Sequence, residues 1–252
     1  MKDADKRIYE RYTSTSVLLD KAQLSNVLRE NALRFMSWYG EYLPKSKSAT
    51  ILDIGCGFGK NVFALLESQY TEVTGVDISS EQVEVAKSEL DLGGRIKCGN
   101  ALEFLLQDDR TYDCILLIDV LEHLDLSDAL KLGELIVARL KSGGILVLQV
   151  PNGLAPLSPL SWGDITHTRC FTSDSLAQYL RLIGFANSVV FELPPAGNGF
   201  KEFVRRIMWH SLFKPALRMF MRLIHGGSFG GIYTANLAAV ATKCDYTIGK
   251  YK

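Results

Sequence analysis

Between Ile51 and Pro151 the chain alternates short apolar runs with segments of helical spacing. The runs read "ILDI", "EVTGVD", "RIKCG", "DCILLI" and "ILVLQVP". Between them lie a helix pattern through Phe63 and Leu66, one with Val83, Ala86 and Leu90 on one face, one at 101–107, and one carrying Leu132, Leu135, Ile136 and Leu140 up to Gly143-Gly144. Ser79 and Gln82 have the spacing of a capping box. Parallel strands need a crossover and antiparallel ones do not, so strict alternation predicts a parallel sheet with helices on both faces. The rhythm changes after Pro151. A loop to Cys170 leads to a helix at 173–183, and two further strands, "NSVVFEL" and "ANLAAVATKC", are separated by a stretch too long for a loop without its own structure. Residues 1–48 read as an N-terminal helical cap, with Leu24, Val27, Leu28, Leu33 and Trp38 near helical spacing and Pro44 as a stop. Residues 49–252 read as one domain with a helical insert at about 195–232, before the last strand.

The first run ends in "GCGFGK", where Gly55, Gly57 and Gly59 permit positive φ and keep Cβ atoms away from a ligand. A dinucleotide fingerprint G-x-G-x-x-G would place its third glycine at position 60, which is Lys60. Asp53 before the turn would repel a pyrophosphate but suits an ammonium group. Asp77 ends the next strand, where an acid accepts ribose hydroxyls. Ammonium, a chain lying on glycines and a ribose together describe S-adenosylmethionine.

"ILDIGCGFGKN", "VTGVDIS", "YDCILLIDVLEHL" and "LKSGGILVLQVPN" resemble, in order and spacing, the motifs of class I S-adenosylmethionine-dependent methyltransferases. The resemblance spans about residues 50–192, with a terminal strand near 236–243. It implies a Rossmann-like α/β fold with a seven-stranded, mostly parallel sheet whose last strand is antiparallel. It also implies cofactor roles. Asp53, Gly55, Cys56, Gly57 and Gly59 would hold the methionine end, Asp77 the ribose and Ile78 the adenine. In "CGNALEF", Asn100, next to Ala101, stands where the family has an acid, and its amide oxygen would accept from the adenine amino group. Leu117 and Asp119 would close over the cofactor.

A hydroxyl acceptor must lose its proton. His167 and Asp164, in the loop after the fifth strand, form one candidate base pair, although both side chains could equally organise that loop. His123 is a second imidazole at the ligand-binding end of the sheet. Asp119, Glu122 and His123, at i, i+3 and i+4, would share a face over one helical turn, and two carboxylates with an imidazole can bind a divalent cation. They are similar to the E-x-x-E-H element of metal-binding ubiquinone-pathway O-methyltransferases and small-RNA 2′-O-methyltransferases. That likeness implies Mg or Mn, with His167 as a further ligand in place of a base.

The 28 basic and 28 acidic residues cancel, so no global field favours nucleic acid. "FKEFVRRIMWHSLFKPALRMFMRLIH" departs from that balance, with six basic residues against Glu202 alone. It reads as a pair of basic amphipathic helices broken at Pro215, fit for a membrane surface or an anionic substrate, or else a lid with solvated arginines. Five unpaired cysteines, a polar N-terminus and no membrane-length apolar stretch suggest a cytoplasmic protein. With the insert, residues 150–245 resemble methyltransferases of bacterial surface-polysaccharide assembly. The acceptor implied is a sugar hydroxyl of a glycan or lipid-linked precursor at the inner face of the membrane. A ubiquinone-type phenol is the alternative acceptor. A nicotinamide oxidoreductase and a non-catalytic cofactor-binding protein are the other classes.

Overall fold

The structure is a computed structural model that describes residues 21–196 and 199–244. The part of the expected cap at residues 1–20 lies outside the described residues. Helix α1 (Lys21–Tyr39) precedes the alternating unit: β1 (Ile51–Ile54), α2 (Lys60–Glu67), β2 (Val73–Asp77), α3 (Ser80–Leu90), β3 (Ile96–Cys98), α4 (Ala101–Gln107), β4 (Tyr112–Ile118), a 3-10 turn (Leu121–His123), α5 (Leu126–Arg139) and β5 (Leu140–Pro151). After it come α6 (Pro159–Trp162), α7 (Ser173–Leu182), β6 (Asn187–Glu192), α8 (Phe200–Met208), a π turn (Trp209–Phe213), α9 (Lys214–His225) and β7 (Asn236–Thr242).

The seven strands form one sheet in the order β3-β2-β1-β4-β5-β7-β6. All pairs are parallel except those of β7, which runs antiparallel to both β5 and β6. This is the expected Rossmann-like sheet with its last strand reversed. Every residue of β1 is buried. Leu52 and Ile54 enter the core layer that holds Leu117, Ile136 and Leu180, while Ile51 enters the opposite layer with Leu65, Cys114 and Leu116. Strand order reverses between β1 and β4, which opens a crevice at their C-terminal ends.

Three local expectations are corrected. Helix α5 stops at Arg139, and Leu140 is extended and pairs with Tyr112, because the residues before Gly143 join the sheet edge through a register shift. In α1 the inward face is Leu24, Leu28, Phe35 and Tyr39, whereas Leu33 is exposed. The insert does not break at Pro215. Met208, Trp209, Phe213 and Lys214 all keep right-handed helical angles, and residues 200–225 form one continuous helical arm. Proline lacks the N–H of the next i→i−4 bond and crowds the preceding turn. The wider π turn just before it accommodates both.

Candidate active site

A cavity of about 800 Å³ lies at the C-terminal ends of β1, β2 and β4, within the size range of small-molecule sites. Gly55, Cys56, Gly57, Asp77, Ile78, Asn100, Ala101 and Asp119 all line it, as the sequence resemblance implies. Gly55, Gly57 and Gly59 have φ of 71°, 55° and 91°. The positive φ expected of all three is present, and local packing adds a second reason for glycine. A Cβ at Gly55 would stand 2.2 Å from Val120, at Gly57 2.4 Å from Gln82, and at Gly59 2.6 Å from Ile96. The glycines let the turn pack against its own protein, and this leaves the cavity behind it open.

Among the described residues, the wall excludes Asp53, Gly59 and Leu117. Leu117 alternates into the core layer between its partners Ile54 and Leu148. Gly59 is the left-handed residue that starts α2 against Leu92 and Ile96. Asp53 is buried beneath the turn, and its oxygens have no hydrogen-bond partner of standard geometry among the described residues. Burial pushes its carboxyl up to about 8; the nearby Asn61 amide and Lys60 oppose this, and the Asp77 charge adds to it. Asp53 can therefore act on an ammonium group only from behind the wall.

Asp77 is better placed. Its Oδ2 accepts from Gly57 N at 2.7 Å and its Oδ1 from Ser79 N at 2.8 Å. Each oxygen keeps a second lone pair for a hydroxyl. Burial raises its pKa, and the two amide bonds oppose the rise. The role expected of Asn100 needs correction. Its Oδ1 caps α4, accepting from Leu102 N at 2.9 Å and Glu103 N at 3.3 Å. That uses both oxygen lone pairs, so the amide can offer a ligand only its N–H donors.

Asp119 has φ of 55° and lies at the end of β4, where it is exposed to the cavity. Gln149 Nε2 stands 2.9 Å from each of its oxygens, and Gln149 Oε1 accepts from Tyr39 Oη at 2.6 Å. Burial raises the pKa of Asp119, while Gln149, Lys60 and His167 oppose it. Tyr39, Phe35, Trp38 and Asn31 bring α1 onto the cavity wall, and Trp38 Nε1 donates to Pro194 O at 3.0 Å. The sequence reading missed these α1 residues and Gln149. A glutamine inside the apolar run "ILVLQVP" was the available signal, since a buried amide requires partners.

The histidine cluster is arranged differently from the expected pair. The 3-10 turn is too short to give Asp119, Glu122 and His123 a common face. Asp119 turns to Gln149, and the grouped donors are Glu122, His123 and His167, within 4.8 Å of one another. Asp119 therefore leaves the candidate metal set. Asp164 Oδ1 accepts from Thr166 N at 2.9 Å and from Thr166 Oγ1 at 2.6 Å, and Thr166 Oγ1 lies 2.7 Å from His123 Nδ1. A threonine hydroxyl has one proton. Given to the carboxylate, that proton leaves Oγ1 to accept from His123 Nδ1–H, and the lone pair of His123 then sits on Nε2.

His123 lines the cavity, whereas His167 stands behind it, ring to ring at 4.6 Å. His167 Nδ1 lies 3.2 Å from Ser161 O, and its Nε2 faces Glu122 Oε1 at 4.0 Å. The acid facing His167 is thus Glu122, and Asp164 serves His123 through Thr166. Burial lowers the pKa of His123 to about 4, helped by the charge of His167 and opposed by Asp164 and Thr166. Burial raises that of Glu122 well above the usual carboxylate range, with Asp119 adding to it. Thr168 fixes the loop to the 3-10 turn, donating from its N–H to Glu122 O at 2.8 Å and from its hydroxyl to Leu124 O at 2.9 Å.

A family model described as a methyltransferase domain matches residues 22–189. The chain belongs to the S-adenosylmethionine-dependent methyltransferases. The enzyme is 32% identical over 158 residues to the O-methyltransferase cnsE of Penicillium expansum, covering 58% of this chain and 55% of that protein. It is also 32% identical over 111 residues to the mitochondrial ubiquinone biosynthesis O-methyltransferase of Candida albicans, covering 42% and 33%. The match therefore spans roughly half or less of the length of these two relatives. A SAM-dependent methyltransferase from Archaeoglobus fulgidus shares the fold, with a TM-score of 0.60 at 21% identity, over 86% of this chain and 98% of that one. PigF with SAH does so with a TM-score of 0.58 at 14% identity, over 95% of this chain and 63% of that one. S-adenosylmethionine fits the residues present: a cavity at the strand-order reversal, an acid with lone pairs to spare at Asp77, and a second acid, Asp119, on the cavity wall.

Proposed function

We propose that the enzyme methylates a hydroxyl oxygen and that His123 accepts the hydroxyl proton. S-adenosylmethionine, when bound, supplies a methyl group already activated on a sulfonium. Asp77 and the glycine turn would hold it, and Asp119, fixed by Gln149, would border it. What remains for the protein is to align the hydroxyl, exclude water and take the proton. The observation that carries this reading is the chain Asp164–Thr166–His123, which fixes the imidazole tautomer on the cavity wall. His167, the base expected from the sequence, becomes a packing partner of His123.

Two acceptor classes divide this reading. A sugar hydroxyl of a lipid-linked glycan is supported by the polar groups of Asp125, Asp128, Thr166 and Thr168 along the cavity. A phenol is the second reading, favoured by the low proton affinity of His123, since a weak base is better matched to a more acidic hydroxyl. The ubiquinone-pathway relative points the same way. Incubation with S-adenosylmethionine and a panel of lipid-linked sugars and polyprenyl phenols, read by mass, separates the classes. Modification of neither, with a methylated amine or thiol in their place, would reject the hydroxyl reading. If EDTA abolished turnover and Mg²⁺ or Mn²⁺ restored it, a cation at Glu122, His123 and His167 would replace the proton acceptor.

A further inference from the structure

The helical arm 200–225 does not pack like the other long helices. None of residues 200–225, all of them described, is buried. In α8, Phe200, Phe203 and Ile207 form one exposed stripe, while Lys201, Arg205 and Arg206 fall on the other side at helical spacing. In α9, Phe220, Leu223 and Ile224 are exposed on one side, with Lys214, Arg218 and Arg222 on the other. Segregation this strong, without burial of the apolar side, leaves hydrophobic area that a monomer in water does not ordinarily carry.

Topology gives the arm a direction. It leaves the sheet after Glu192 and returns at Asn236. Glu192 pairs with Leu237, and Asn236 with Pro151 at the C-terminal end of β5. The arm therefore rises from the sheet edge at which the cofactor cavity opens. Lys214 Nζ holds Glu192 Oε1 at 2.8 Å, which anchors α9 to that edge. The loop after β5 leaves the same edge and exposes Leu157, Trp162 and Ile165, the last of them on the cavity wall.

We propose that the arm docks the enzyme on an anionic bilayer surface, its apolar side chains entering the interface and its exposed Arg side chains, with Lys201, meeting headgroups, while Lys214 keeps its anchor to Glu192. Charge selects this occupant. The arm carries six basic residues and one acid, while the rest of the chain carries 22 basic and 27 acidic. A symmetric pairing of two arms would cover the apolar stripes but leave the basic excess of each arm without an anionic partner. A basic amphipathic helix with large apolar residues lies in the plane of an anionic membrane, and among the described residues no helix is long and apolar enough to cross one. Docking in this way turns the cavity-bearing edge toward the bilayer. The inference is independent of which acceptor is methylated.

The test is flotation of the full chain with phosphatidylcholine vesicles made with and without phosphatidylglycerol. Binding is expected only to the phosphatidylglycerol vesicles and should weaken with salt. Arg222→Gln should reduce partitioning about five-fold, the fold-change equivalent to the ~1 kcal/mol of one basic residue near such a surface. Phe220→Asp with Leu223→Asp should abolish binding while S-adenosylmethionine affinity, measured by calorimetry, stays unchanged. The proposal is overturned by no binding to anionic vesicles, by equal binding to neutral ones, or by full binding of the double variant. A dimer in light scattering that the same double variant dissociates would also overturn it, in favour of a second copy as the occupant.

Discussion

Gln149 holds Asp119 by both carboxylate oxygens, at 2.9 Å each. The amide itself is held by Tyr39, whose hydroxyl donates to it at 2.6 Å. The N-terminal helix, the fifth strand and an acid on the cavity wall are thus one hydrogen-bonded unit. Gln149→Leu removes that amide and leaves both of its partners, the Asp119 carboxylate and the Tyr39 hydroxyl, without it. A stability loss of about 1–3 kcal/mol is expected in chemical denaturation, together with weaker S-adenosylmethionine binding. Tyr39→Phe should have the smaller effect, about 0.5–1.5 kcal/mol. Unchanged cofactor affinity in Gln149→Leu would remove Asp119 from the cofactor site.

Asp53 makes stability depend on pH in a stated direction. Its folded pKa, about 8, lies above the ordinary value of 3.8. The folded chain therefore binds this proton more tightly than the unfolded chain, and stability falls as pH rises between the two values. Asp53→Asn cannot titrate there. The midpoint of thermal unfolding for Asp53→Asn relative to wild type, without cofactor, should climb between pH 5 and about pH 8 and then level off. A difference constant with pH would mean that Asp53 is charged throughout and has a partner.

Gly59 tests the packing reason for the glycine turn. Alanine there must adopt φ of 91° and push into Ile96 and Leu92. Gly59→Ala should destabilise the fold by more than ~1 kcal/mol, while its effect on cofactor affinity should follow stability alone, since Gly59 is off the cavity wall. A stable variant with lost affinity would return Gly59 to the site.

Much of the architecture was legible because it depends on periodicity. β1, β2, β4 and β5 are apolar runs between amphipathic helices, and Gly55, Gly57, Asp77 and Ile78 are tied to strand ends by sequence position. What was not legible depends on distance across the fold. Tyr39 and Gln149 lie far apart in sequence, and only the packing of α1 on the sheet makes them partners. Asp164 and His167 suggested a pair through their spacing, yet Thr166 lies between them and turns the acid toward His123. Asp119 and His123 suggested one helical face, which a 3-10 turn of three residues and a positive φ do not provide. Pro215 suggested a break, and the π turn before it absorbs the defect.

His123 is where the chemistry is most directly tested. With a pKa of about 4, it is neutral and able to accept a proton across the neutral range, so its own titration should limit the rate only in acid. The decisive measurement is the single-turnover rate of methyl transfer by His123→Gln at pH 7, using an acceptor that the wild type methylates, alongside the calorimetric affinity for S-adenosylmethionine. The expected result is a rate lower by about 10²–10⁴-fold with cofactor affinity retained, and a smaller loss in the same direction for Thr166→Val. A wild-type rate in His123→Gln would contradict proton acceptance by this residue.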